Sequence, residues 1–192
     1  KSAVEHIAKS QEKYNCEYFK IIGTKLFMDG VIEAHTGWLE EAYDDQPGYF
    51  GLKRCPESSR VARIVAFNNK NGMNVHLHSI GDAATHTAVE GIAQAAAETG
   101  VKDGRNAMSH LQVVDPRDYQ TFADNNIIAV VAPLWAAKFP DEYGISCSYI
   151  GKRAETMYPV KDFYDAGCKV NFHSDYPITS SMSVARSVYM AA

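Results

Sequence analysis

Met73-Asn74-Val75-His76-Leu77-His78-Ser79-Ile80-Gly81-Asp82 opens the stretch 73–111, whose reading decides the fold. Its first residues form a short apolar run interrupted only by polar positions at fixed spacing, which predicts a buried strand over 73–78. An alanine-rich helix is expected over 82–99, closed by Gly100. A second short strand follows over 106–111, so the stretch reads as a strand–helix–strand unit with parallel strands.

The same unit recurs outward in both directions. Upstream, residues 2–13 carry Val4, Ile7 and Ala8 on one helical face, and 18–28 is an apolar run read as a buried strand. A long loop from Asp29 to about Arg54 holds Gly30, Gly37, Pro47, Gly48 and Gly51; a helix over 57–70 ends at Asn71-Gly72. Downstream come a helix over 115–125 opened by Asp115-Pro116, a strand over 127–133 and a polar, aromatic loop. A helix over 159–166 closed by Gly167, a strand over 169–172 and a helical segment from Met182 onward complete the chain. Nearly continuous apolar strands, each followed by a helix, are covered on both faces, which points to an α/β fold with a parallel sheet. Such units wind into an open doubly wound sheet or form an arc of a barrel. The glycine in His78-Ser79-Ile80-Gly81-Asp82 fits neither G-x-G-x-x-G nor G-x-x-x-x-G-K-[ST], so nucleotide binding is not expected.

Composition narrows the classes. The chain has 192 residues, 46% apolar and 22% charged, with 19 Lys+Arg against 23 Asp+Glu for a net charge of −4. No basic face is available for a nucleic acid, and no apolar run approaches the roughly 18 residues of a membrane span. The length suits one domain but falls short of the ~250 residues usual for an eightfold α/β barrel. Cys16, Cys55, Cys147 and Cys168 lie far apart with no C-x-x-C pair, as in a cytoplasmic protein with reduced thiols. The chain opens on Lys1 within a helical stretch and ends helically over 183–192 without a cap, so both ends read as cut.

Polar residues collect where the expected strands end: Lys25 and Asp29, His76 and His78, His110, Pro133, then His173 and Asp175. Active sites of parallel α/β folds sit at the carboxyl ends of the strands. A single histidine there is more often a hydrogen-bonded core residue. Imidazoles, a carboxylate and a lysine converging from several strands match the mixed N and O donors of a divalent cation. Strand alternation puts His78 nearer the mouth than His76, and Asp175 nearer than His173. His78 and Asp175 are therefore assigned to the metal, with His76 and His173 as supports. Lys25 either pairs with Asp29 or, with a depressed pKa, adds carbon dioxide to become an anionic carbamate ligand bridging two metals.

Four segments, Lys25-Leu26-Phe27-Met28-Asp29-Gly30, His76-Leu77-His78-Ser79-Ile80-Gly81-Asp82, Ser109-His110-Leu111-Gln112 and Ser174-Asp175-Tyr176-Pro177, occur in an order and spacing that resembles the metal-dependent amidohydrolase superfamily. The likeness is to its amidohydrolase-3 branch, the YtcJ-like and N-substituted formamide deformylase type. It implies a TIM-like (β/α)8 barrel of which this chain supplies about five βα units, strands four to eight, as a partial catalytic domain over 1–192. The N-terminal strands and a small β-domain would lie outside it. The resemblance further implies Lys25 as a carboxylated lysine bridging two metals, His78 and His110 as ligands, and Asp175 as both ligand and general base. Three positions depart from the pattern: no His-x-His precedes Lys25, Ser109 stands where Glu is usual, and Ala132-Pro133 where Gln-Pro is usual.

The expected activity is hydrolysis of a non-peptide amide-type C–N bond in a small molecule, using a divalent metal, zinc by preference. The metal acidifies its bound water toward a pKa of ~7 and polarises the carbonyl. Asp175 takes the proton and returns it to the leaving amine. Tyr176, Trp135, His173 and Asp29 are candidate supporting or substrate-contacting residues, and Trp38 with the 29–54 loop is a candidate cover. The rival reading is a non-catalytic barrel piece or binding module with an incomplete metal site. A serine hydrolase is excluded by the lack of G-x-S-x-G. Two unpaired strand edges, near Lys25 and near Asp175, predict a homo-oligomer.

Overall fold

The computed structural model describes residues 2–138, 140–179 and 183–191, so Met182 lies outside the described residues, as do the side chains of Val4 and Ala8. Strands β1 (Gly23–Phe27), β2 (Asn74–Ser79), β3 (Ala107–His110), β4 (Ile128–Val131) and β5 (Lys169–Phe172) form one sheet in the order β1-β2-β3-β4-β5. Every neighbouring pair is parallel. Sequential order with parallel pairing is the arrangement of a barrel arc, since a doubly wound sheet reverses its strand order at a switch point.

Helices α1 (Ser2–Tyr14), α2 (Ser58–Lys70), α3 (Asp82–Thr99), α4 (Tyr119–Asp124), α5 (Pro140–Ile150), α6 (Val160–Asp165) and α7 (Val184–Ala191) complete the described elements with short 3-10 turns at 32–34, 116–118 and 151–156. The expected punctuation is present. Asn71 ends α2, Gly100 ends α3 at φ 74°, and the Asp115 carboxylate accepts the Arg117 backbone N–H at 2.9 Å. Leu77, Met108, Ala129 and Val131 join Val61, Val65, Ala88, Val89 and Ile92 in the main core, so α2 and α3 cover one face of the sheet.

Two expectations change. The run over 18–28 yields a strand only from Gly23, and Tyr18, Phe19 and Ile22 are exposed. The Ile21 backbone is already engaged, its N–H by the Asn15 side chain at 2.8 Å and its carbonyl by Gln11 at 2.7 Å. The loop expected after 133 contains α5 and a 3-10 turn. That segment packs on the 29–54 loop: Ile32, Leu39, Tyr43, Ile80, Val113, Ile150 and Ala154 form a second apolar cluster. Arg153 ties the two together, donating to the carbonyls of Glu41 and Ala42 and to Asp44 at 2.8–2.9 Å. The 29–54 loop is thus a packed element rather than a surface excursion.

His86 on α3 meets the buried Asp118 at 2.8 Å and Glu90 at 3.4 Å. Burial alone pulls its pKa down, but the hydrogen bond and charge of Asp118, with Glu90 behind them, outweigh it and the net shift is upward. A raised histidine pKa contributes stability that is fully present below the ordinary value of 6.5 and is lost as pH rises through the folded value. His86→Asn is therefore expected to flatten the decline in melting temperature above pH 6.5; an unchanged slope in thermal unfolding across that range refutes the assignment. Among the described residues the two outer strands, β1 and β5, each have one partner. The 192-residue chain is expected to self-associate through them at about tens of micromolar, and a single monomer boundary in sedimentation velocity would count against it.

Candidate active site

Strand alternation sorts the two faces of the sheet. Leu26, Val75, Leu77 and Met108 turn toward the helices, which leaves Lys25, Phe27, His76, His78 and Ser109 on the opposite face. Register brings Lys25 beside His76, and Phe27 beside His78 beside Ser109. The pair of histidines two apart on β2 is thus one polar column on the uncovered face.

His110 has the parity of Met108 and would point into the helical layer in a regular strand. Instead His110 and Leu111 adopt positive φ, 78° and 54°. This conformation costs a β-carbon-bearing residue about 1–3 kcal/mol and tends to occur at functional sites. The His110 ring lies 4.5 Å from that of His78 and 5.1 Å from that of His173. Trp135 stacks on it at 5.4 Å with an 8° interplanar angle, and the Trp135 indole N–H donates to Thr179 Oγ1 at 2.6 Å.

Desolvation holds these imidazoles neutral. The pKa of His110 falls to about 2, first through burial and then through His78, His173 and Lys25 nearby; that of His76 falls to about 4 by burial, Lys25 and His173. Burial lowers His78 and His173 as well. The His76 Nε2, His110 Nδ1 and His173 Nε2 atoms are buried and unpartnered. His78 Nε2 lies 2.7 Å from the Gly30 carbonyl and 3.7 Å from Asp29. Donation from Nε2 leaves the Nδ1 lone pair available, the tautomer a metal-bound histidine takes when its far nitrogen is held by a carbonyl.

Lys25 donates to Ser109 Oγ at 3.0 Å. Partial desolvation lowers its pKa, against the opposing charge of Asp175. Asp29 is not its partner. That carboxylate is fully buried and accepts the backbone N–H groups of Trp38 at 2.9 Å, Ile80 at 3.0 Å and Gly81 at 2.8 Å. Burial raises its pKa to about 7 in spite of those bonds and of Arg54. Asp175 has positive φ, 52°, and its charge acts on Lys25, His78 and His173. Tyr176 is 61% exposed. The Gly30 carbonyl and Thr179, both absent from the sequence reading, anchor His78 and Trp135; a backbone acceptor and a loop hydroxyl leave no pattern in a sequence.

Neutral imidazoles with unpartnered nitrogens, beside a carboxylate, match the donors of a borderline divalent cation. Among the described residues no group of three or more His, Cys, Asp or Glu is gathered closely enough to hold a metal ion. The donor types fit; their convergence is incomplete.

The profile of the amidohydrolase family matches residues 1–191. The chain belongs to the amidohydrolase family. It is 26% identical over 168 residues to YtcJ of Bacillus subtilis (strain 168), a match covering 87% of this chain and 30% of that protein. It is 31% identical over 144 residues to the exoenzymes regulatory protein AepA of Pectobacterium carotovorum subsp. carotovorum, covering 72% of this chain and 30% of AepA. An uncharacterized metal-dependent hydrolase of Pyrococcus furiosus superposes with a TM-score of 0.79 at 23% identity, over 97% of this chain and 38% of that one. That likeness supports the fold as a partial TIM-like barrel. The amidohydrolase chain spans between 20% and 30% of the length of the curated relatives it matches.

The Asp29 carboxylate has a sharp test. An amide in its place has one acceptor oxygen, and its NH2 would face a backbone N–H. Asp29→Asn is expected to cost about 1–3 kcal/mol, a drop in Tm of several degrees for a chain of this size. An unchanged midpoint by circular dichroism would show that these bonds do not hold the loop.

Proposed function

We propose that this chain carries the ligand-bearing, proton-handling part of a metal-dependent hydrolase that cleaves non-peptide amide-type C–N bonds in small molecules. The observation that supports it most is the cluster of the His78, His110 and His173 rings, with buried unpartnered nitrogens on His110 and His173, within a family whose name describes that chemistry. Lys25, His78, His110 and Asp175 would hold the cation, with zinc favoured by the nitrogen-rich donor set.

A bound divalent cation supplies Lewis acidity, polarising the carbonyl and acidifying water. Asp175 accepts the proton of the attacking water and delivers it to the leaving nitrogen. Asp29, through backbone bonds and its position by His78, keeps that ring in register with the strand end. His76 and His173 flank the ligands, Trp135 walls them, and exposed Tyr176 stands at the entrance to contact substrate. The lowered pKa of Lys25 favours its free amine, which can add carbon dioxide with loss of a proton to give an anionic carbamate.

No helix among the described residues is long and apolar enough to cross a membrane, and Cys16, Cys55, Cys147 and Cys168 are free thiols. The substrate proposed is a small molecule and the compartment proposed is the cytoplasm; the net charge of −4 offers no basic face for a nucleic acid.

One observation favours a second reading, a barrel piece without its own catalysis: among the described residues no three His, Cys, Asp or Glu are grouped closely enough to hold a metal ion. Metal analysis of the zinc-equilibrated chain decides. Roughly one zinc or more per chain, lost in His110→Ala, is expected. A folded, metal-free protein whose melting temperature ignores added zinc would instead establish the second reading.

A further inference from the structure

Beside the histidine cluster lies a cavity of about 360 Å3, at the small end of the range for ligand pockets. We propose that it is the subsite for a neutral aromatic or branched-alkyl substituent of the amide substrate, with Ala136, Ala137 and Met157 setting its size. This rests on the hydrolase reading above and specifies its substrate class.

The walls come from the segments that follow successive strands. Val31 follows β1, Ile80 follows β2, Gln112 follows β3 and Trp135 follows β4, while Tyr143 of α5 and Met157 close the far side. These are the positions from which an α/β fold presents specificity. Trp135 is the link. It lines the cavity and stacks on His110, so a group held there has its attachment point next to the imidazoles.

The described lining carries no excess of charge of either sign. Among the described residues two ionic side chains border the cavity, and both have partners. Glu33 accepts from Gln112 Nε2 at 3.1 Å. Lys138 donates to the Glu155 carbonyl at 3.4 Å and lies 5.0 Å from the centre of the Tyr143 ring. Their opposite signs leave no net charge to recognise an ion. The buried floor, with Ile80 1% and Ala154 0% exposed, rewards displacement of water by an apolar group.

The probes are phenylacetamide and acetamide, which share a carboxamide and differ in the ring. Trp38 and Trp135 are the two tryptophans of the chain, so Trp38→Phe isolates the Trp135 emission. Phenylacetamide is expected to perturb that emission and to bind about tenfold to a hundredfold more tightly than acetamide, as burial of one ring implies. Ala137→Phe and Ala136→Leu, both at half-buried positions, are expected to remove the preference with the melting temperature retained. Equal affinities in the parent, or a preference intact in both folded variants, overturns the proposal.

Asp175→Asn separates this failure from that of the hydrolase reading, because Asp175 does not line the cavity. It is expected to reduce zinc uptake and keep the preference for phenylacetamide. Zinc bound without any preference for the ring refutes the subsite alone. A preference for the ring without zinc uptake in the parent refutes the hydrolase reading and leaves the subsite standing.

Discussion

Asp29 is where this structure is tied together. Its carboxylate is fully buried, and three backbone N–H groups converge on it from two separate segments, Trp38 in the loop after β1 and Ile80 with Gly81 in the turn between β2 and α3. Leaving a buried carboxylate unsatisfied would cost several kcal/mol, at least in the range of about 1–3 and more for a charge. The loop therefore has one strongly preferred seat. Gly81 makes that seat tight: a β-carbon there would stand 1.9 Å from the Trp38 carbonyl. Next to Asp29, Gly30 turns its carbonyl to His78. A single carboxylate thus fixes the loop, the helix start and, through its neighbour, the tautomer of a candidate ligand.

The loop seated in this way becomes one wall of the recognition space. Ile32, Leu39 and Tyr43 pack against Ile150 and Ala154, and Arg153 spans the junction with bonds to Glu41, Ala42 and Asp44. Hydrogen bonds from one planar guanidinium to two carbonyls and a carboxylate demand a defined separation between the loop and the segment that carries Arg153. The cavity beside Trp135 is bounded by these same segments. Its shape follows from a buried acid on one side and an arginine clamp on the other.

Much of this was legible in the sequence because it depends on local chemistry. Gly100 at the end of α3, Asn71 after α2 and Asp115 before Pro116 sit where their backbone preferences require. The spacing of His76 and His78 places both on one face by strand geometry alone. The misses have physical reasons of another kind. The apolar character of Tyr18, Phe19 and Ile22 suggested strand, but Gln11 and Asn15 had already taken the Ile21 backbone. Helix α5 contains Pro140 and Gly144 and lacks a strong apolar stripe, so its packing on the loop decides it. Asp29 looked like a partner for Lys25 because both are charged and four residues apart. Its true partners are backbone groups, which every sequence has and none advertises.

His110 shows why a site is harder to read than the scaffold carrying it. Alternation would send its ring among the helices, and only the positive φ at His110 and Leu111 returns it to His78, Trp135 and His173. That turn puts strain where relaxed geometry was available. Among the described residues the unpartnered buried side-chain atoms include Asn68 Oδ1 and Asp118 Oδ2 in the helical layer, Thr24 Oγ1 and His76 Nε2 within strands, and His110 Nδ1 and His173 Nε2 at or just beyond strand ends. The two at strand ends, on His110 and His173, belong to rings 5.1 Å apart, and a buried polar atom without a partner calls for an explanation. Local propensity and patterning describe the relaxed parts of a chain. The departure at His110 comes from two positive-φ residues that no propensity predicts, which is why the scaffold was legible and the ring cluster was not.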